Sequence, residues 1–200
     1  MKPTHRAPRL PHEKLLTLIR TIIPLTDADE ALLHSVFRPV VAPRHTQLVE
    51  PGHVARQLYF INEGYVRVFS LHDGVELTTH LNCPPGFITS FNSFMGQTPA
   101  PDFVECLTDA HLLAVSRHDL DRLYAHSTTL AEFGRQIFAQ SVAYNEQRTQ
   151  DMVVLSAEQR YLKLMTQHPD IIQNVPLQYV ASFIGIKPES LSRIRRQLIS

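Results

Sequence analysis

The stretch YVRVFSLHDGVELTTHL, Tyr65–Leu81, decides how this chain is read. Two apolar-rich arms, Tyr65–Leu71 and Val75–Leu81, flank His72-Asp73-Gly74. An Asp-Gly pair supplies the positive φ that tight hairpin turns demand. In the second arm Val75, Leu77, Thr79 and Leu81 alternate with Glu76, Thr78 and His80, which predicts one buried face. The same texture runs from Val40 to Val115, punctuated by Pro43, Pro51-Gly52, Asn62-Glu63-Gly64, Pro84-Pro85-Gly86 and Pro99. Short strands at that spacing predict a small barrel, sandwich or jelly roll.

Helical periods lie on both sides. Leu15, Leu18, Ile19 and Ile22 recur at helical spacing before Pro24, and Thr26 with Asp29 predicts the start of a second helix through Phe37. Beyond the strands, Ser116 with Asp119 opens a short helix, and Thr129 with Glu132 resembles a capping box for a long one over 129–152. Such a helix would be about 36 Å long, more than a small barrel needs as cover. Its stripe of Leu130, Phe133, Ile137 and Tyr144 is therefore expected to form a seam with a second copy of the chain. Ser156 with Gln159 caps the next helix, which stops at His168-Pro169. Two short helices follow, Leu177–Ile184 and Pro188–Leu198, joined by Gly185-Ile186-Lys187, the pattern of a helix-turn-helix. The expected division is 1–127, 128–152 and 153–200.

Composition removes several classes of function. The 200 residues carry no formal net charge, and the longest apolar runs fall far short of a membrane span. Two cysteines, Cys83 and Cys106, exclude a disulfide scaffold or a four-cysteine iron–sulfur cluster. No signal-peptide segment opens the chain, so a reducing, cytoplasmic setting is expected. Seven glycines form neither G-x-G nor a P-loop, and there is no H-E-x-x-H or nucleophile elbow, so the chain does not read as an enzyme. His80 and Cys83 are three apart, but the eleven histidines read as scattered surface residues rather than haem ligands. The zero charge hides an asymmetry. Residues 1–20 hold five basic side chains against one acid, residues 21–155 eight against fifteen, and residues 156–200 six against three. A basic C-terminal unit on an acidic body suits binding to a polyanion.

In that unit Val180, Ala181 and Ile184 are expected to face the core, with Leu191, Ile194 and Leu198 inward on the last helix. Glu189, Ser190, Ser192, Arg193 and Arg196 then lie outward or on the flanks, with Lys187 and Arg195 nearby. A helix entering the major groove with these residues offers Arg193 to guanine and Glu189 to the cytosine amino group. The serines suit bases or phosphate, and Lys187, Arg195 and Arg196 suit the DNA backbone.

Barrel, long helix and helix-turn-helix, in that order, resemble the Crp/Fnr superfamily of bacterial transcription regulators. Leu58–Val68, LYFINEGYVRV, is similar to the early β-roll signature of that family. Glu189-Ser190-Leu191-Ser192-Arg193 matches the E-x-x-S-R of Fnr-type recognition helices. The resemblance covers roughly residues 25–200. It implies an α+β protein with a cyclic-nucleotide-binding-like β-roll (jelly roll), a long dimerisation helix and a winged-type helix-turn-helix. It also implies a homodimer on double-stranded DNA, with a small-molecule effector and RNA polymerase as further partners. The sequence ends at Ser200, so a closing wing is expected to be missing or reduced, as in the short regulators typical of Bacteroidetes.

Cyclic-AMP-binding members carry a Gly-Glu pair and then an Arg-Ser/Thr-Ala run. The carboxylate accepts from the ribose hydroxyl and the arginine neutralises the phosphate. Here Thr89-Ser90 stand where Gly-Glu would be, Asp102 lies near the expected arginine, and no arginine occurs between Arg67 and Arg117. Cyclic AMP is therefore not an expected ligand, and no cofactor is called for. Phe87, Thr89, Ser90, Phe91, Asp102 and Phe103 are the expected lining of any effector pocket. The competing reading is a ligand- or partner-binding module whose C-terminal helices dock protein rather than DNA.

Overall fold

A computed structural model describes residues 11–199. The basic stretch 1–10 and Ser200, which figured in the charge, signal-peptide and wing readings, lie outside the described residues. Helices α1 (Glu13–Arg20) and α2 (Asp27–Val36) precede eight strands: β1 (Arg38–Ala42), β2 (Gln47–Val49), β3 (Gln57–Glu63), β4 (Val66–His72), β5 (Val75–Asn82), β6 (Gly86–Ile88), β7 (Phe103–Cys106) and β8 (Ala110–Ser116). Short helix α3 (Phe91–Gly96) interrupts them. Then come α4 (Arg117–His126), α5 (Thr128–Val154), α6 (Ala157–Gln167), α7 (Pro169–Asn174), α8 (Leu177–Phe183) and α9 (Pro188–Ile199).

The strands form two four-stranded antiparallel sheets, in the orders β1-β8-β3-β6 and β2-β7-β4-β5. Phe60, Ile61, Val66, Val68, Val104, Leu112, Leu113 and Val115 are buried in one continuous core, which makes an N-terminal antiparallel β-sandwich of the jelly-roll kind. Leu15 and Ile19 of α1, Leu33 of α2 and Leu123 of α4 extend that core. The β4–β5 turn has Asp73 at φ 50° and Gly74 at φ 77°, the paired positive values of a tight hairpin.

Three local signals are realised as read. Thr26 and Asp29 form a reciprocal capping box, as do Ser156 and Gln159, and the Ser116 hydroxyl accepts from the Asp119 N–H. The start of α5 differs from expectation. Its N-cap is Ser127, not Thr129; the Ser127 hydroxyl accepts from Leu130 N–H and donates to Asp29 Oδ1 at 2.5 Å. That second bond reaches α2 and selects Ser127 over the neighbouring threonines. Glu132, the other half of the expected box, instead pairs with Arg135 and Gln136, which hold its carboxyl down at about 2.

The expected buried face of β5 also needs correction. Val75 and Leu77 are exposed, whereas Thr78 is buried. The hairpin tip outruns the sandwich, a register shift falls between Val68 and Phe69, and α8 covers the opposite face. The C-terminal helices do not own a separate core. Tyr161, Leu164, Ile171, Val175, Val180, Ala181, Phe183, Ile184 and Leu191 join Leu81 and Leu107 of the sandwich in one second cluster.

Candidate functional site

The last two helices are set by apolar spacing and one turn. Val180, Ala181, Ile184 and Leu191 are buried, and Ile194 packs on the same cluster. Gly185 sits at φ 75° between them, a backbone conformation that a side chain resists. Leu198, expected inward, is exposed, because α9 by then has run past the cluster that buries Leu191. Lys187, Glu189, Arg193, Arg195 and Arg196 are exposed, and Ser190 and Ser192 are half-buried. The Arg193 guanidinium donates to Ser190 Oγ at 3.4 Å. Glu189 in the first turn and Arg196 in the last both complement the helix dipole.

Sequence reasoning did not find what holds α8 in place. Ser182 Oγ donates to the Glu76 carbonyl at 3.0 Å and accepts from Thr78 N–H at 2.9 Å, so a helix side chain bonds the backbone of strand β5. Arg67 of β4 is 2% exposed. It pairs with Glu105 at 2.6 Å and with Glu76 at 2.7 Å. Its guanidinium lies between two rings, 3.8 Å from Phe69 and 4.0 Å from Tyr179 of α8. Phe103 continues the stack at 4.7 Å from Phe69, nearly parallel to it. At the other end of α8, Arg148 Nη2 donates to the Phe183 carbonyl and Arg160 Nε to the Ile184 carbonyl, each at 2.9 Å. Two arginines thus satisfy carbonyls that the helix end leaves open. The only sequence signal was a basic residue embedded in an apolar strand, Arg67 in the β-roll signature.

The expected effector residues do not form one lining. Phe87 packs on the sandwich core, 5.1 Å from Phe60. Thr89 is buried and donates to the Gln57 carbonyl. Phe91 is 46% exposed and stacks on Phe138 of α5, so it lies on the surface. Phe103 belongs to the Arg67 stack. Ser90 Oγ and Asp102 Oδ1 are buried without a hydrogen-bond partner. Asp102 lies within electrostatic reach of His80, whose Nε2 is 3.1 Å from Asn145 Oδ1 on α5. Burial lowers the His80 pKa against the Asn145 hydrogen bond, and its Nδ1 lies 3.2 Å from the Thr79 hydroxyl. The Asp102 carboxylate would repel a cyclic phosphate placed beside it rather than neutralise it, so these residues do not fit that ligand. A surface cleft of about 360 Å³ elsewhere, lined by Gln47, Glu50, His53, Arg56 and Tyr59 among others, contains none of the expected pocket residues.

The expected dimer stripe is largely engaged within the chain. Leu130 and Phe133 are buried in the first core, and Ile137 packs against it. The same helical spacing serves the chain's own sandwich. Tyr144 is exposed, and so are Phe138, Val142, Met152, Val153 and Val154 of α5. Burial, reinforced by Asp170, pushes the Cys83 thiol up to about 12, and burial raises Cys106 to about 11, so neither is a reactive thiolate at neutral pH. Among the described residues no helix is long and apolar enough to cross a membrane.

Comparison with known proteins agrees with this geometry. Residues 39–127 match the cyclic nucleotide-binding domain family. Comparison with curated proteins finds no match. Among solved structures, FixK2 from Bradyrhizobium japonicum is similar with TM-score 0.69 and 16% identity, over 82% of this chain and 84% of that one. A Crp/Fnr-family transcriptional regulator from Eubacterium rectale gives TM-score 0.66 and 15% identity, over 86% and 83%. The c-di-GMP-responsive global regulator CLP of Xanthomonas campestris gives TM-score 0.62 and 17% identity, over 86% and 91%. The chain therefore has the cyclic-nucleotide-binding sandwich followed by C-terminal helices, the fold of Crp/Fnr regulators.

Proposed function

We propose that this protein is a DNA-binding transcription regulator of the Crp/Fnr type. It works in the cytoplasm as a homodimer on a palindromic operator, with half-sites about one helical turn apart. The observation that carries the reading is the solvent-facing row on α9. Glu189, Arg193 and Arg196 are exposed on a helix that Leu191 fixes to the cluster beneath, while Arg67 and Ser182 fix α8 to the sandwich. In this reading 1–127 is the effector unit, 128–152 the dimerisation helix and 153–200 the helix-turn-helix unit. Arg193 and Glu189 read base edges, Ser190 and Ser192 assist, and Lys187 and Arg196 hold phosphates. RNA polymerase is a further partner. The dimer seam uses Phe138, Val142 and Tyr144 rather than Leu130 and Phe133.

The effector in this reading is not cyclic AMP. Asp102, with His80 and its partner Asn145 within reach, suits a small neutral or cationic molecule. The stack Phe103–Phe69–Arg67–Tyr179 supplies a continuous contact from the residue beside Asp102 to α8. An effector that binds two arrangements of that stack unequally would reorient α9.

Selection from a randomised duplex pool with the full chain, followed by anisotropy titration at several salt concentrations, tests the reading. A recovered palindrome, bound with an affinity that falls linearly in log salt, supports it. Recovery of no sequence, with α9 instead captured by a protein partner, overturns it.

A further inference from the structure

Cys83 follows strand β5 and meets the junction of α6 and α7. Its Sγ, a ring nitrogen of His168 and a carboxylate oxygen of Asp170 all lie within 4.8 Å of one another. All three residues are half-buried. His168 lies between α6 and α7, and Asp170 is in the first turn of α7. The sandwich and the C-terminal helices thus each contribute to one cluster.

We propose that Cys83, His168 and Asp170 bind a divalent transition-metal ion, zinc by ligand chemistry, that ties the sandwich to the C-terminal helices. As the metal binds, the Cys83 thiol would release its proton to solvent, and the resulting thiolate, an imidazole and a carboxylate form a borderline-soft donor set, which zinc accepts at about 2.0–2.3 Å from each atom. Calcium and magnesium prefer oxygen alone and are disfavoured by the thiolate and imidazole. Three protein ligands leave a fourth position, which water fills.

The surroundings are those of a supported site. Asn174 Nδ2 donates to the Tyr65 hydroxyl at 2.9 Å and to the Asp170 carbonyl at 2.8 Å, which fixes the first turn of α7 against the sandwich. Tyr65, Leu107, Ile171 and Val175 belong to the apolar cluster there. Such a shell limits access of water and holds the ligands in orientation. A bound ion would stabilise the packed arrangement in proportion to its occupancy, because the site exists only when the two parts are together.

The test uses the full chain, reduced and stripped of metal, titrated with cobalt(II) alone. The expected result is one cobalt per chain, a thiolate-to-cobalt charge-transfer band in the near ultraviolet, and loss of that band when zinc displaces cobalt. Cys83→Ser should abolish the band, while Cys106→Ser should leave it unchanged. His168→Ala and Asp170→Asn should weaken binding by about tenfold or more. At a fixed zinc concentration the thermal midpoint should rise more for the parent than for Asp170→Asn. Circular dichroism checks each variant; should Cys83→Ser misfold, His168→Ala carries the comparison. Absence of a thiolate band in the parent overturns the proposal, as does its persistence in Cys83→Ser or an undiminished affinity in His168→Ala.

Discussion

The Arg67 guanidinium of strand β4 lies 4.0 Å from the centre of the Tyr179 ring in α8, although the two residues are far apart in the chain. The same group is paired with buried Glu105 and stacked on Phe69. One charged side chain therefore completes the sandwich and positions the C-terminal helices.

Arg67→Ala should destabilise the protein by about 3–5 kcal/mol, because it leaves the buried Glu105 carboxylate with only the His45 ring as a side-chain partner. Tyr179→Leu keeps apolar cover and should lose only about 0.5–2 kcal/mol of cation–π attraction. Urea unfolding of both variants checks the order. Equal midpoints for Arg67→Ala and the parent would show the pair to be energetically idle.

Gly134→Ala runs against helix propensity. Alanine favours a helix over glycine by about 1 kcal/mol. Here a Cβ would fall 2.2 Å from the Tyr124 hydroxyl, where α4 crosses α5. Overpacking of that kind costs about 1–3 kcal/mol, so a net loss of stability is expected in thermal denaturation. A gain would mean that Tyr124 swings away freely.

Two histidines make stability fall in mild acid. His12 donates from Nε2 to the Phe37 carbonyl at 2.8 Å, and its pKa is lowered by burial, with His34 adding to the effect against that hydrogen bond. His80 is lowered by burial, with the Asn145 bond opposing. A lowered folded pKa means that the unfolded chain binds more protons just below pH 6.5. Stability should therefore decline as pH falls through about 6.5. The His12→Gln, His80→Gln double variant should flatten the slope of unfolding free energy against pH. An unchanged slope would assign the dependence to other groups.

Asp29 acts at lower pH. Its pKa is lowered first by the Ser127 hydroxyl and then, against burial, by Thr26. The stabilisation it brings is present above the ordinary carboxylate range and disappears as pH falls through the lowered value. Ser127→Ala should remove both the α5 cap and this bond, at a cost of about 1–2 kcal/mol near neutral pH. That loss should shrink in acid; a constant loss across the pH series would leave only the cap.

Phe138→Glu with Val142→Glu places charge on the exposed face of α5. If that face is the dimer seam, the pair should convert a dimer to a folded monomer in sedimentation. A parent that is already monomeric, or a variant that stays dimeric, would remove the seam from α5.

Arg193→Ala should cost about 1–3 kcal/mol in specific DNA binding and relax preference at one base position. Arg196→Ala should weaken all sequences alike and lower the salt slope by about one. Indistinguishable behaviour of the two variants would contradict the division between base and phosphate contacts.

Local signals were legible because their physics is local. Thr26 with Asp29, and Ser156 with Gln159, need only three residues of spacing to satisfy the backbone of a first turn. Asp73-Gly74 turned the chain as read because its conformational preference travels with it. The inward spacing of Val180, Ala181, Ile184 and Leu191 was visible for the same reason. Spacing could not say which neighbour would cover an apolar face. Leu130 and Phe133 face their own sandwich, a choice that helical period leaves open. Phe91 and Phe103 were expected to line one pocket and went to different places, one stacked on Phe138 of α5 and the other on Phe69.

The residues of this chain alone predicted a small all-β unit, a barrel, sandwich or jelly roll, with helices on both sides, since alternation, turn chemistry and caps each act within a few positions. Folding in three dimensions chose what those elements touch: Ser127 with Asp29, Tyr179 over Arg67, and Cys83 beside His168 and Asp170. Such pairings depend on long-range distances, which no short window of sequence encodes.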